Sequence, residues 1–306
     1  MISRSLTLKQ LEALIWVADL GSFRKAAAHL NTTQPNISTR IAGLEATLGA
    51  PLMRRDAGSV QMTPKGVEIL AQARATLRAA EALVEIAARP DLIEDRLRLG
   101  VTELIACTWL RAYLRRLKQV YPRISVELNV DLSRNLDAEL VGNALDLALQ
   151  NAPFAAAVSG EINLGSYDYT WVASPEIAKE INVEASVAAI SVPILTHARH
   201  TQAYQELASH FDRRAGAAAQ FVPSSSLTSS IHMAVDGMGL AVVPRAMVAA
   251  QLADGALVAL PMDWHPQPLQ FAARFHADRA AGFVHQAAEL AVEVARTEDQ
   301  QNLSFR

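Results

Sequence analysis

The chain has a single cysteine, Cys107, among 306 residues, so no disulfide can form within it. One thiol fits a reducing compartment, and its expected place is inside the fold, as a small buried hydrophobe rather than a catalytic nucleophile. Aromatic residues make up only 6% and no apolar run approaches the ~20 residues needed to cross a bilayer. The N-terminal MISRSLTLKQ has no following apolar run with a small-residue cleavage site. A cytoplasmic location is therefore expected, with no membrane partner. Glycine-rich phosphate loops, nucleophile elbows and metal-spaced His/Cys clusters are all missing, and the eight histidines are scattered. These absences argue against an enzyme, and neither a metal nor a cofactor is expected.

Charge is scarce but unevenly placed. Residues 1–66 carry eight Lys/Arg against four acids, or +4, so the rest of a chain of net charge −3 holds −7. A basic N-terminal module ahead of an acidic remainder points toward nucleic acid. Within that module, apolar residues at helical spacing fill residues 6–20 and stop at Gly21. Ser22 is a natural N-cap for a second helix with Phe23, Ala26, Ala27 and Leu30 inside. A third helix starts near Thr33, with Pro35 in its first turn, Ile37, Ile41, Leu44 and Leu48 as core stripe, and Gly49 at its end. Two short extended pieces, PLMRR and SVQMT, flank the turn residues Asp56-Ala57-Gly58. Three helices and a basic hairpin make a winged helix-turn-helix over 6–63.

A long Ala-rich helix is expected over 64–90, with Val67, Leu70, Ala73 (or Arg74), Leu77, Ala80 (or Glu81) and Val84 recurring at threes and fours. Its stripe predicts burial against a partner helix in a second subunit. Arg89-Pro90-Asp91 marks the next boundary. From 91 to 306 strands and helices alternate, which implies doubly wound α/β lobes. The expected division is lobe I at about 91–163 and 268–306, with lobe II at about 164–267. The fold class is thus α/β overall: an α-rich winged helix-turn-helix, a linker helix and a two-lobed domain. The two lobes resemble a periplasmic-binding-protein-like effector domain, whose ligand sits beyond the strand carboxyl ends.

The chain resembles a LysR-type transcriptional regulator. The matching residues are Leu11, Phe23, Ala26, Ala27, Leu30, Gln34-Pro35-Asn36-Ile37-Ser38, Ile41, Leu44, Glu45, Leu48, Gly49, Leu52, Arg55, Thr63 and Gly66. The architecture matches along the whole chain, while the specific positions concentrate in 6–66. The resemblance implies a bacterial, nucleoid-associated regulator that binds promoter DNA as a homodimer or homotetramer, admits RNA polymerase as a partner and responds to a small anionic or amphoteric metabolite. Closing the cleft on that effector would shift the placement of the DNA-binding pairs. On this reading Thr33, Gln34, Pro35, Asn36, Ser38, Thr39 and Arg40 form the groove-facing set, with Arg54, Arg55 and Lys65 on the phosphate backbone. Gln and Asn suit adenine and Arg suits guanine, at about 1–3 kcal/mol of discrimination each. The wing tip Asp56-Ala57-Gly58-Ser59 lacks the cations often found there in the family.

For the effector, small polar residues cluster at expected strand ends: Thr102, Glu103, Ser133, Asn151, Thr196 and His197, with Ser224-Ser225-Ser226 nearby. The resemblance places an anionic effector near Thr102. His197 and Arg199 are candidates to neutralise it, while Glu103 favours an amino or hydroxyl group; a mixed-charge metabolite satisfies both. The competing reading is a solute-binding or metabolic enzyme module whose N-terminal helices serve only dimerisation. The polar outer face of 33–40 counts against it.

Overall fold

The computed structural model describes residues 6–56, 59–87, 92–181, 192–212, 219–278 and 280–303. The turn residues Ala57-Gly58 and the boundary Arg89-Pro90-Asp91 lie outside these. Two compact units are present: Met1–Asp95 with Val120–Ile124 and Ala277–Gln286, and Arg96–Gln119 with Ser125–His276 and Ala287–Arg306.

The first unit begins with α1 (Leu8–Leu20), capped by a Thr7/Gln10 capping box and ended by Gly21 in the left-handed conformation. Ser22 caps α2 (Phe23–His29), and Thr33 caps α3 (Gln34–Leu48), which ends at left-handed Gly49. The strands β1 (Met53–Asp56) and β2 (Ser59–Met62) pair antiparallel as the wing. Leu11, Leu14, Phe23, Ala26, Ala27, Ile37, Ile41, Leu44 and Leu52 form the buried core. Leu48 was expected in that stripe but is exposed, because it falls on the last turn of α3, past the packing of α1 and α2.

The long helix is α4 (Pro64–Ile86). Part of its expected partner-facing stripe turns to its own unit instead. Leu70, Ala73 and Leu77 pack on the core of their own unit, and Arg74 pairs with Asp19 of α1. Among the described residues, Val67 and Leu83 are its large apolar residues left outside, 56% and 69% exposed. The two residues that lock α4 to the wing are Thr63 and Gly66. Thr63 Oγ1 donates to the Pro51 carbonyl at 2.8 Å and accepts from the Gly66 amide at 2.9 Å. A Cβ on Gly66 would lie 2.0 Å from the Leu52 carbonyl oxygen, so only glycine fits there.

The second unit follows the alternating pattern: β3 (Arg96–Val101), α5 (Glu103–Cys107), α6 (Leu110–Val120), β4 (Ser125–Val130), α7 (Ser133–Val141), β5 (Leu147–Asn151) and β6 (Gly160–Tyr167). The chain then enters a second sheet through β7 (Tyr169–Ala173), α8 (Pro175–Glu180), β8 (Ile194–His197), α9 (Gln202–Asp212), β9 (Phe221–Ser224), α10 (Leu227–Val235), β10 (Leu240–Pro244), α11 (Ala249–Ala253) and β11 (Val258–Leu260). It returns with β12 (Leu269–Phe275) and α12 (Gly282–Leu303). The sheet orders are β4-β3-β5-β12-β6 and β11-β7-β10-β8-β9. The strands β3, β4 and β5 are parallel, as are β8, β9 and β10, while β6, β7, β11 and β12 add antiparallel pairs. Because β6 stays on β12 through Tyr167, the crossing to the second sheet falls at Asp168, a few residues beyond the expected 163/164 division.

Buried Arg274 of β12 braces the first sheet's cavity-side loop. It pairs with buried Asp137 of α7, lies 4.1 Å over the Phe154 ring and donates to the Ala156 carbonyl. A paired and hydrogen-bonded guanidinium is the form in which a charge tolerates burial. Cys107 departs from expectation. It is exposed at the end of α5, because the inner positions of that short helix are taken by Leu104 and Ile105.

Candidate functional site

The first candidate is the start of α3. Gln34, Pro35, Asn36 and Thr39 are exposed, while Ile37 and Ile41 point into the core. Gln34 makes no side-chain hydrogen bond among the described residues. The Asn36 side-chain amide donates to Thr32 Oγ1 at 3.1 Å, and Thr39 Oγ1 donates to the Pro35 carbonyl at 3.0 Å, so Asn36 is oriented by the turn before α3 and Thr39 by α3 itself. Thr33 is exposed and its side chain accepts from the Asn36 backbone amide. The Ile37 amide goes to the Thr33 carbonyl. With Pro35 lacking an N–H, the first turn offers an anion only the Gln34 amide. Ser38 is half-buried, and Arg40 is also half-buried, close enough to Glu12 of α1 to draw its carboxyl pKa downward against the larger effect of burial, which raises it.

Three cations follow α3 in sequence. Arg54 is exposed on β1. Arg55 pairs through its backbone with Val60. Lys65 is exposed but bridges Glu68 at 2.6 Å, a surface pair of small energetic weight. Glu45 was part of the family resemblance, and its role is now visible. Its Oε1 accepts from the Leu52 amide at 2.7 Å and the Met53 amide at 3.3 Å, which fixes the wing to α3.

The second candidate is a cavity of about 560 Å³ between the two sheets of the second unit. That is the size of a metabolite site. Thr102, Glu103, Ser133, Asn151 and His197 all line it, while Thr196, one residue before His197 on β8, is not among the lining residues, because neighbouring strand residues face opposite ways. Their roles differ sharply. Ser133 and Asn151 satisfy one another: Ser133 Oγ donates to Asn151 Oδ1 at 2.9 Å and accepts from the Asn151 amide at 3.0 Å. Glu103 is bound to α10. Its carboxylate accepts from Ser226 Oγ at 3.0 Å, the Leu227 amide at 2.7 Å and the Thr228 amide at 3.1 Å. A carboxylate at a helix N-terminus is stabilised by the orphan amides and the helix dipole.

By contrast, Thr102 Oγ1, Thr196 Oγ1, His197 Nε2 and the Tyr169 hydroxyl are buried without a hydrogen-bond partner among the described residues. The residues are 6%, 0%, 9% and 4% exposed, respectively. Burial holds the His197 imidazole neutral, lowering its pKa from 6.5 to about 4 against the smaller opposing pull of Glu103. Burial likewise raises the Tyr169 pKa, keeping the hydroxyl protonated. The two rings meet edge to face, centroids 5.4 Å apart. Tyr169 escaped the sequence reading because it sits at the start of a strand rather than its end. Phe154 and Phe271 also line the cavity. Arg199 does not. It is exposed, donating to the Tyr204 hydroxyl at 3.0 Å, so its expected role at the ligand is not supported. Among the described residues no three His, Cys, Asp or Glu side chains gather as a metal site. No described helix is long and apolar enough to cross a membrane.

A helix-turn-helix with a wing, followed by two α/β lobes around a cavity, defines a ligand-responsive regulator. Residues 8–67 match the bacterial regulatory helix-turn-helix of the lysR family, and residues 90–296 match the LysR substrate binding domain. The chain belongs to the LysR family of transcriptional regulators. A probable hydrogen peroxide-inducible genes activator of Streptomyces viridosporus is 28% identical over 295 residues, 94% of each chain. Among solved structures, ArgP from Mycobacterium tuberculosis superposes with a TM-score of 0.61 at 24% identity, covering 94% of this chain and 96% of that one. A full-length OxyR variant from Pseudomonas aeruginosa gives 0.58 at 22%, covering 95% and 97%. These relatives are regulators rather than enzymes.

Proposed function

We propose that this regulator reads promoter DNA with the exposed start of α3. Gln34 is the principal base-reading side chain, Asn36 and Thr39 are set by the turn before α3 and by α3 itself, and Arg54, Arg55 and Lys65 contribute phosphate affinity. The observation that carries this reading is Gln34 itself. It is an exposed amide with no internal partner, at the first position of a helix whose opposite face is core. An unpartnered amide at this point of a helix-turn-helix suits bidentate contact with adenine in the major groove. Arg40, half-buried beside Glu12, acts as a support for α3 as much as a base contact.

Val67 and Leu83 on α4 supply the apolar contacts of a homodimer or homotetramer. The cavity of the second unit takes a small anionic or amphoteric effector, which supports the same functional reading as the helix. RNA polymerase is the partner through which such binding would alter transcription.

Retention and sequencing of genomic fragments by the purified chain tests the proposal. A shared inverted-repeat motif, lost in the Gln34→Ala variant, is the expected result. Retention of fragments without a common motif would overturn it.

A further inference from the structure

We propose that Glu103 is a built-in latch: its carboxylate reaches from α5, beside the first sheet, to the start of α10 on the second, and so holds the ligand-free cavity shut. This rests on the reading of the cavity as the effector site and adds how entry to it is controlled.

Every amide at the start of α10 is taken. Leu227 and Thr228 donate to the two carboxylate oxygens of Glu103 at 2.7 and 3.1 Å. Ser229 donates to Ser226 Oγ at 3.2 Å, and Ser230 to the Ser226 carbonyl at 3.3 Å. Ser226 thus caps its own helix at the third amide, the ordinary reach of a capping serine. The first two amides, which a cap of that kind leaves open, are met by an acid 124 residues before Leu227. Ser226 Oγ adds a third donor at 3.0 Å, so one carboxylate gathers three hydrogen bonds from a single helix start. The dipole of α10 favours the negative charge there.

The place of this contact makes it a latch as well as a cap. The chain passes from the first sheet to the second at Asp168 and returns between β11 and β12. Two covalent crossings form a hinge, about which packed lobes rotate unless they are tied elsewhere. Glu103 supplies such a tie. With Ser224, Ser225 and Leu227 it lines the cavity, while Ser225, Ser229 and Cys107 are exposed. The seam between α5 and α10 is therefore a wall with the cavity on one side and solvent on the other. One helical turn beyond Glu103, Cys107 Sγ lies 3.5 Å from Thr228 Oγ1 and carries the seam along α5. The latch is reversible, because water satisfies both the carboxylate and the freed amides once the seam parts.

The ligand-free full chain carries the test. The probe is the rate at which a bulky maleimide reacts with Cys107, the sole thiol and a neighbour of the latch. Glu103→Ala should react about five- to tenfold faster than wild type, the factor that corresponds to loss of one helix cap. Acetate, which restores a carboxylate where the side chain was, should slow this variant to the wild-type rate. Chloride at the same ionic strength should not, and neither salt should change the wild type. Glu103→Gln keeps the side-chain shape and one acceptor oxygen, so it should react at an intermediate rate and ignore acetate. It decides the question if Glu103→Ala fails to fold. Wild-type rates in both variants, or an acceleration that acetate leaves unchanged, would overturn the latch. No effector is added, so that outcome leaves the cavity reading standing. The cavity reading fails separately if native mass spectrometry finds no small molecule retained from a metabolite extract by wild type or Glu103→Ala, and the labelling result survives that failure.

Discussion

The Leu227 amide donates to the Glu103 carboxylate at 2.7 Å, joining the α5 side of one sheet to the start of α10 on the other. With Ser226 Oγ and the Thr228 amide on the same carboxylate, the acid that reads in sequence as a ligand contact is a helix cap. Replacing Glu103 with Ala should cost about 1–2 kcal/mol, the usual value of a lost cap. In a domain of this size that lowers the melting temperature by about 2–8 °C. Glu103→Gln keeps one strong acceptor and should recover part of the loss. An unchanged melting curve for Glu103→Ala would show that the contact contributes nothing.

Gly66→Ala should destabilise the first unit by at least about 1–3 kcal/mol, the range of overpacking in a close-packed core. The new methyl meets the backbone carbonyl of Leu52, which cannot rotate away as a side chain would. Chemical denaturation followed by circular dichroism would report it, and Gly21→Ala offers a contrast, since its penalty is conformational rather than steric.

His197 is neutral when folded, and its pKa is lowered from 6.5 to about 4 by burial. The unfolded chain therefore binds more protons between these values, and stability falls as pH drops. The contribution is fully present above about 6.5 and is lost toward 4, with a slope of at most about 1.4 kcal/mol per pH unit. His197→Gln should flatten that part of the stability profile. An NMR titration of the imidazole with a midpoint near 6.5 would contradict the assignment.

Arg54→Ala should lower DNA affinity evenly across sequences and reduce the slope of log K against log salt by about 0.9 for a lost phosphate contact. Gln34→Ala should instead weaken only the specific site, by about 1–3 kcal/mol. Fluorescence anisotropy over a salt series separates the two.

Leu83→Glu should shift the chain toward smaller assemblies in sedimentation experiments, because the side chain is 69% exposed and stands outside the core of its own unit. Leu77→Glu should unfold the first unit instead, since Leu77 packs into that core.

This contrast shows where sequence reading succeeds and fails. Helix caps such as Thr7, Ser22 and Thr33 and the endings at Gly21 and Gly49 are legible because local chemistry dictates them. The α4 stripe was legible as apolar, but periodicity does not say which body covers it, and Leu70, Ala73 and Leu77 turn to the core that α1 helps to build. The strand β6 alternates in burial only as far as Leu164, and its Gly160, Asn163 and Gly165 dilute the strand signal. In the cavity, strand-end position found Thr102 and His197, yet could not distinguish them from Ser133 and Asn151, which hydrogen-bond to each other. Partnership is a tertiary property.

Cys107 gives the molecule a practical handle. Its exposed sulfur is 3.5 Å from Thr228 Oγ1, so the sole thiol of the chain stands at the seam that Glu103 closes. A thiol-reactive fluorophore would attach at one position without prior mutagenesis, and its emission would report on that seam as ligand is added.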